Sequence, residues 1–162
     1  MFTVSSTDNT ISKTFTLTQS AAGTVEPVKK TEEFTFSSFE VTEGVATINE
    51  KNFKIELKKN TANNPPLWYK KNNEARLYPK GSLRVFSDKT IMKVEFIYKL
   101  NAGGKENKVP TIESVEGASN KGQWDSKTKI WSDAAGDKNV TMSTSGTAGN
   151  VGFTKIIVTY VE

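Results

Sequence analysis

A chain of 162 residues with neither cysteine nor histidine has no disulfides, no thiolate or imidazole metal ligands and none of the nucleophile–histidine machinery of the common hydrolases. Its 22 basic and 18 acidic side chains leave a formal charge of +4, and the two signs are interspersed, so no basic block marks a nucleic-acid footprint. No apolar run is long enough to cross a bilayer, so membrane insertion is not expected.

Taken from the start, Phe2–Ser5 and Ser12–Gln19 read as two strands around the turn-prone Thr7-Asp8-Asn9-Thr10, which makes residues 1–22 a β-hairpin arm. Met1 leads straight into strand-like sequence without a charged and then an apolar segment, so no secretion signal is read here. The expectation is either a piece of a secreted protein or a product that needs no such signal, as a viral structural protein would not. Residues 23–32 carry Gly23, Pro27 and Lys29-Lys30 and are expected to be a wet linker.

From residue 33 onwards the period is that of strands. Phe34 and Phe36 share a face, Val45–Ile48 follows, and Phe53, Ile55 and Leu57 alternate with Lys54 and Glu56, the pattern of an antiparallel strand with one wet side. Asn63-Asn64-Pro65-Pro66 must be loop, because the prolines fix φ and remove two donors. Ala75–Tyr78 forms a short strand closed by Pro79-Lys80-Gly81, a turn sequence. Ser82–Phe86 and Met92–Tyr98 then read as a hairpin turning at Ser87-Asp88-Lys89.

Further strands are expected at Pro110–Val115, Lys127–Ser132, Val140–Ser143 and Gly152–Val161, with turns at Gly103-Gly104 and Gly117. Nothing has a helical period, and residues 33–162 are expected to form an all-β antiparallel β-sandwich, jelly roll or immunoglobulin-like.

Two resemblances add to this reading. The segment Ser5–Ala21, ending in Thr16-Leu17-Thr18-Gln19, resembles the closing hairpin of the immunoglobulin-like repeats called BACON domains in surface proteins of gut Bacteroidetes. From Glu33 to Glu162 the ordered set Asn64, Tyr69, Ala75-Arg76-Leu77-Tyr78, Gly81, Leu83, Ile91–Phe96, Trp131 and Ile157-Val158-Thr159-Tyr160 is similar to a β-sandwich domain found near the C-terminus of Bacteroidetes surface proteins. Trp131 departs from that pattern in being followed by Ser132–Gly136 and not by an immediate glycine. The resemblance implies a surface-associated accessory module and brings no catalytic residues.

The candidate ligand-binding residues are Trp68, Tyr69, Arg76 and Trp124. Exposed aromatics stack on the apolar faces of sugar rings, arginine and asparagine bond their hydroxyls, and loops are where such residues collect. The competing reading is packing: each aromatic buries a large area in a sandwich core, the reading favoured for Tyr78 and Trp131, and for Arg76 an internal pair with Glu74, Glu56 or Asp125 is the favoured reading.

Catalysis has only coincidental carboxylate pairs to offer, such as Glu74 with Asp125. Asp133-Ala134-Ala135-Gly136-Asp137 matches no EF-hand loop, so no metal or other cofactor is called for. The expectation is a noncatalytic module outside the cell or on its surface, for adhesion or carbohydrate binding, with a glycan or surface polysaccharide as ligand. The alternative is a phage virion component, a capsid decoration or fibre attachment, whose N-terminal arm engages a protein partner.

Overall fold

The computed structural model describes residues 26–99 and 112–162 in full, together with the backbone of residues 2–5 and 12–15. Near the N-terminus β1 (Phe2–Ser5) pairs antiparallel with β2 (Ser12–Phe15), Phe2 opposite Phe15 and Ser5 opposite Ser12. The turn between them, the later part of the arm, Gly103-Gly104 and the start of the strand read at Pro110 lie outside the described residues.

The body is one ten-stranded antiparallel sheet: β3 (Lys29–Thr35), β4 (Val45–Asn49), β5 (Lys54–Lys58), β6 (Leu67–Tyr69), β7 (Glu74–Leu77), β8 (Ser82–Tyr98), β9 (Ile112–Gly117), β10 (Gln123–Asp125), β11 (Ile130–Thr144) and β12 (Val151–Val161). Its main path runs β10-β11-β8-β12-β7-β6, with β5 also on β8, β4 on β5, β9 on β11 and β3 on β12. The sheet curls into a half-barrel.

Two long strands produce the curl. The first part of β8, Ser82–Phe86, lies between β5 and the end of β11, whereas its second part, Thr90–Tyr98, lies between β12 and the start of β11. At the changeover Lys93 faces Thr159 while Ile91 faces Tyr160, so Met92 is left over as a bulge. Across from it, β11 spends Ser132 to Asp137 against the interval from Lys93 to Ile91. Extra residues on one strand of a pair bend it and sharpen its twist, and strands that bend in this way carry a sheet round a corner. Gly136 makes the β11 bend possible: its φ is +71°, and a Cβ there would sit 2.4 Å from Thr90 Cγ2.

Side chains from both halves meet in a single core. Ile55, Leu57, Leu83, Val85 and Met142 come from one half and Phe96, Trp131, Phe153, Ile156 and Val158 from the other, all within 1% of full burial. Phe34 and Phe36 stack edge to face with ring centroids 5.0 Å apart, as their shared face requires.

Several expectations are corrected. Ser87-Asp88-Lys89 is not a turn but the middle of β8; the Ser87 hydroxyl accepts the Lys89 N–H at 2.9 Å and donates to the Asn52 carbonyl, so polar residues that favour turns locally are satisfied within an extended strand. Lys127–Ser132 and Val140–Ser143 are not separate strands, since β11 continues through Asp133–Gly136 as its bulge. The linker ends sooner than expected, because Lys29–Glu32 already pair with Val158–Val161. The two lysines sit on an exposed sheet edge, where charge is commonly placed.

Candidate functional site

Strands β6 and β7 are joined by a single 3-10 turn, Lys70–Asn72, that ends at Asn73 in the left-handed region with φ 50°. Asparagine tolerates that conformation better than most residues. The hairpin sets Leu67 opposite Arg76, Trp68 opposite Ala75 and Tyr69 opposite Glu74. Alternation then separates the two neighbouring aromatics: Trp68 goes with the buried Ala75 and packs on Phe39, ring centroids 6.3 Å apart, while Tyr69 goes with Glu74 and Arg76.

On that second face the Arg76 guanidinium lies 3.5 Å from the centre of the Tyr69 ring, and its Nε donates to Glu74 Oε1 at 2.7 Å. The Asn72 amide donates to the same oxygen at 3.3 Å. Glu74 is wholly buried, and its Oε2 has no partner among the described residues. Gly152 of β12, directly opposite Arg76, makes the room: a Cβ there would stand 2.6 Å from that oxygen. A buried carboxylate and an aromatic face hold the arginine in one orientation by an ion pair and a cation–π contact.

The terminal guanidinium nitrogens have no partner among the described residues. Arg76 lines an open groove of about 480 Å³ together with Asn63, Asn64, Tyr78, Lys80 and Asn150, with Thr61, Pro79 and the Gly146–Gly149 loop completing its wall. Its floor is pinned. Gly81 N–H bonds Tyr78 O at 3.0 Å, Lys80 N–H bonds Thr144 O at 3.0 Å, and the Thr144 hydroxyl reaches Tyr78 O at 2.9 Å. Thr61, Lys80 and Gly146 also line an adjoining depression of about 470 Å³, so the surface is an extended trough.

Among the described residues no carboxylate lines the Arg76 groove, whose charged groups are Arg76 and Lys80. The Asn150 carboxamide oxygen is buried with no partner among the described residues. A fixed guanidinium, side-chain amides and a phenol suit a ligand rich in hydroxyls or bearing a carboxylate.

The four residues singled out from sequence are thus divided. Arg76 lines the groove and Tyr69 supports it, whereas Trp68 and Trp124 are half-buried and pack against the core. None of the three aromatics is in a loop: Trp68 and Tyr69 form β6 and Trp124 is in β10, paired opposite the fully buried Trp131 and edge-on to Phe96 at 5.9 Å. Tyr78, expected in the core, is half-buried on the groove wall. Lys80 and Asn150 were not singled out as ligand residues. The signal that points to Asn150 is its place after Gly146–Gly149, a turn-rich loop leading into a strand.

The remaining acidic candidates have local tasks. Glu74 and Asp125 are separated in the sheet by β12, β8 and β11, one buried and the other exposed. Asp125 accepts the Lys127 amide at 2.8 Å, which, with help from Thr128, holds its carboxyl below the usual range. At the β11 bulge, burial pushes the Asp137 carboxyl up, but hydrogen bonds from the Ser119 hydroxyl and amide and from the Asn139 amide outweigh it and leave the group lowered. Asp133 accepts the Ala135 amide at 2.9 Å. Among the described residues no cluster of three or more acidic side chains is placed to hold a metal ion.

Comparison with protein-family models, with curated proteins and with solved structures returns no match for this chain. The two resemblances noted above therefore rest on the residue pattern alone.

Proposed function

We propose that the chain is a noncatalytic recognition module, displayed outside the cell or on its surface, that binds glycans in the Arg76 groove. The observation that carries this reading is the arrangement of Arg76 itself. A strand arginine stacked on Tyr69, tied through Nε to buried Glu74 and lining an amide-rich groove is preorganised to receive a ligand, and preorganisation lowers the cost of binding. A guanidinium in that setting favours a sugar with a carboxylate over a neutral one. In the same reading the two halves of the curled sheet serve as the layers of a β-sandwich, the rigid mount on which such sites are carried.

A glycan array that includes uronic and sialic acids, run with the wild type and with Arg76→Ala, tests the reading. The expected result is binding to an acidic glycan that weakens about 10- to 100-fold in the variant, the usual cost of losing a hydrogen bond to a charged group. Absence of any glycan signal, or binding that survives both Arg76→Ala and Asn150→Ala, overturns it.

One observation favours a second, structural reading, that of a virion decoration or attachment unit. β1 and β2 form a two-stranded sheet distinct from the ten-stranded one, and a lone hairpin is marginal in water. Solution mass measured with and without residues 1–22 separates the two: an oligomer that the truncation abolishes, in a protein that binds no glycan, makes the arm an assembly device.

A further inference from the structure

We infer that the outer edge of β3 pairs with the same edge of a second copy of this chain, joining two sheets across a twofold axis at Thr31. β3 hydrogen-bonds to β12 on one side, and among the described residues no strand pairs with its other side. The Phe36 N–H donates to Thr154 O at 3.0 Å, so in the register of this pair the even-numbered residues turn their backbone groups toward β12. Lys29, Thr31 and Glu33 turn theirs outward, because the direction alternates along a strand.

An open edge of this length is a template for another strand unless charge forbids it. Here the charges select a register instead of forbidding one. The edge reads Lys29-Lys30-Thr31-Glu32-Glu33. Antiparallel pairing of two copies with Thr31 opposite Thr31 sets Lys30 opposite Glu32 and Lys29 opposite Glu33 of the second copy, twice over by symmetry. It also makes Lys29–Glu33 and Thr31–Thr31 the pairs that exchange backbone hydrogen bonds. Moving the axis to Lys30 or Glu32 brings like charges face to face, which is unfavourable.

Two further features fit. Val28, 67% exposed, falls opposite Phe34 of the second copy and is covered by the pairing. Pro27, which has no N–H to give, stands where the ladder ends. The ion pairs Lys30–Glu162 and Lys155–Glu33 within one chain are exposed and therefore weak competitors. Such an interface is isologous, the form taken by most dimers.

Sedimentation equilibrium on the full chain at low and at physiological salt, with Lys29→Glu and Glu33→Lys made separately, tests this. Both substitutions are on the exposed face of β3, and circular dichroism checks that each variant is folded. The wild type is expected to dimerise, more weakly as salt rises. Each variant alone sets like charges opposite each other and should dissociate about tenfold more readily or worse. An equimolar mixture of the two restores every opposite-charge pair and should recover dimers at wild-type affinity. A wild type that stays monomeric throughout, a dimer indifferent to both substitutions, or variants whose mixture remains monomeric overturns the inference.

Discussion

The chain's two arginines, Arg76 and Arg84, are both strand residues that lie over an aromatic ring, and their contrast locates the site. Arg84 stands 4.7 Å from the Phe86 ring, between β5 and β11, with Glu56 and Thr141 as its register partners and the Asn139 carboxamide oxygen accepting from its Nη2. Its Nη2 is engaged inside the sheet. Arg76 is flanked instead by Leu67, in a three-residue edge strand, and by Gly152, which has no side chain. Among the described residues only its Nε makes a side-chain hydrogen bond, and its side chain lines the groove. The same residue type thus becomes scaffold in the middle of the sheet and a recognition element near its rim, because the side chains on the neighbouring strands differ: Glu56 and Thr141 flank Arg84, whereas Leu67 and Gly152 flank Arg76.

Removing what holds Arg76 should break this contrast most strongly. Glu74→Ala takes away the carboxylate that Nε needs and leaves a half-covered guanidinium unpaired; breaking such a pair costs about 2–3 kcal/mol, below the full range for a buried one because Arg76 keeps some contact with water. Chemical denaturation should show that loss. Any glycan affinity should fall with it, and unaltered stability would mean that Arg76 is positioned by Tyr69 alone.

Arg84→Ala sharpens the contrast from the other side. Losing its hydrogen bond to Asn139 and its ring contact should cost about 1 kcal/mol, while glycan binding stays at the wild-type level. A parallel loss of binding would show that the two corners are coupled through β8 and β11, contrary to the assignment of Arg84 as scaffold.

How far this was legible in the sequence differs between those corners. Period two placed Phe53, Ile55 and Leu57 correctly in the core, since a strand with one wet face announces itself by alternation. It also placed Arg76 in a strand beside the Pro79–Gly81 turn. The unity of β8 and β11 was not legible: Ser87-Asp88-Lys89 and Asp133–Gly136 have turn chemistry, and the segments on either side of them are the ones paired with strands distant in the chain. Tertiary context overrides local preference in this way where a sheet bends. The groove was half legible for a related reason. Tyr69 and Arg76 share one hairpin, but Asn150 and Lys80 reach the same trough only because β12 pairs with β7 and the Tyr78–Gly81 turn is tied to Thr144.

The smallest effect concerns the far edge, where the same rule about spent and unspent groups applies to a phenol. Tyr160 is buried on β12, and its hydroxyl donates to Glu32 Oε1 of β3 at 2.8 Å. That hydrogen bond first, then burial and the Glu32 charge, push the phenol from 10.0 up to about 12. The folded protein therefore prefers the neutral phenol more strongly than the unfolded chain does. The resulting stabilisation is fully present below pH 10 and drains away as pH rises toward 12. Tyr160→Phe keeps the ring and should cost about 1 kcal/mol at neutral pH for the lost hydrogen bond. Urea unfolding of both proteins followed through that alkaline window should show the gap between them closing, because lysines and the other tyrosines titrate alike in each. A gap that stays constant would mean that Glu32 does not hold the phenol, leaving the Asn52 amide as the hydrogen-bond partner of its carboxylate among the described residues.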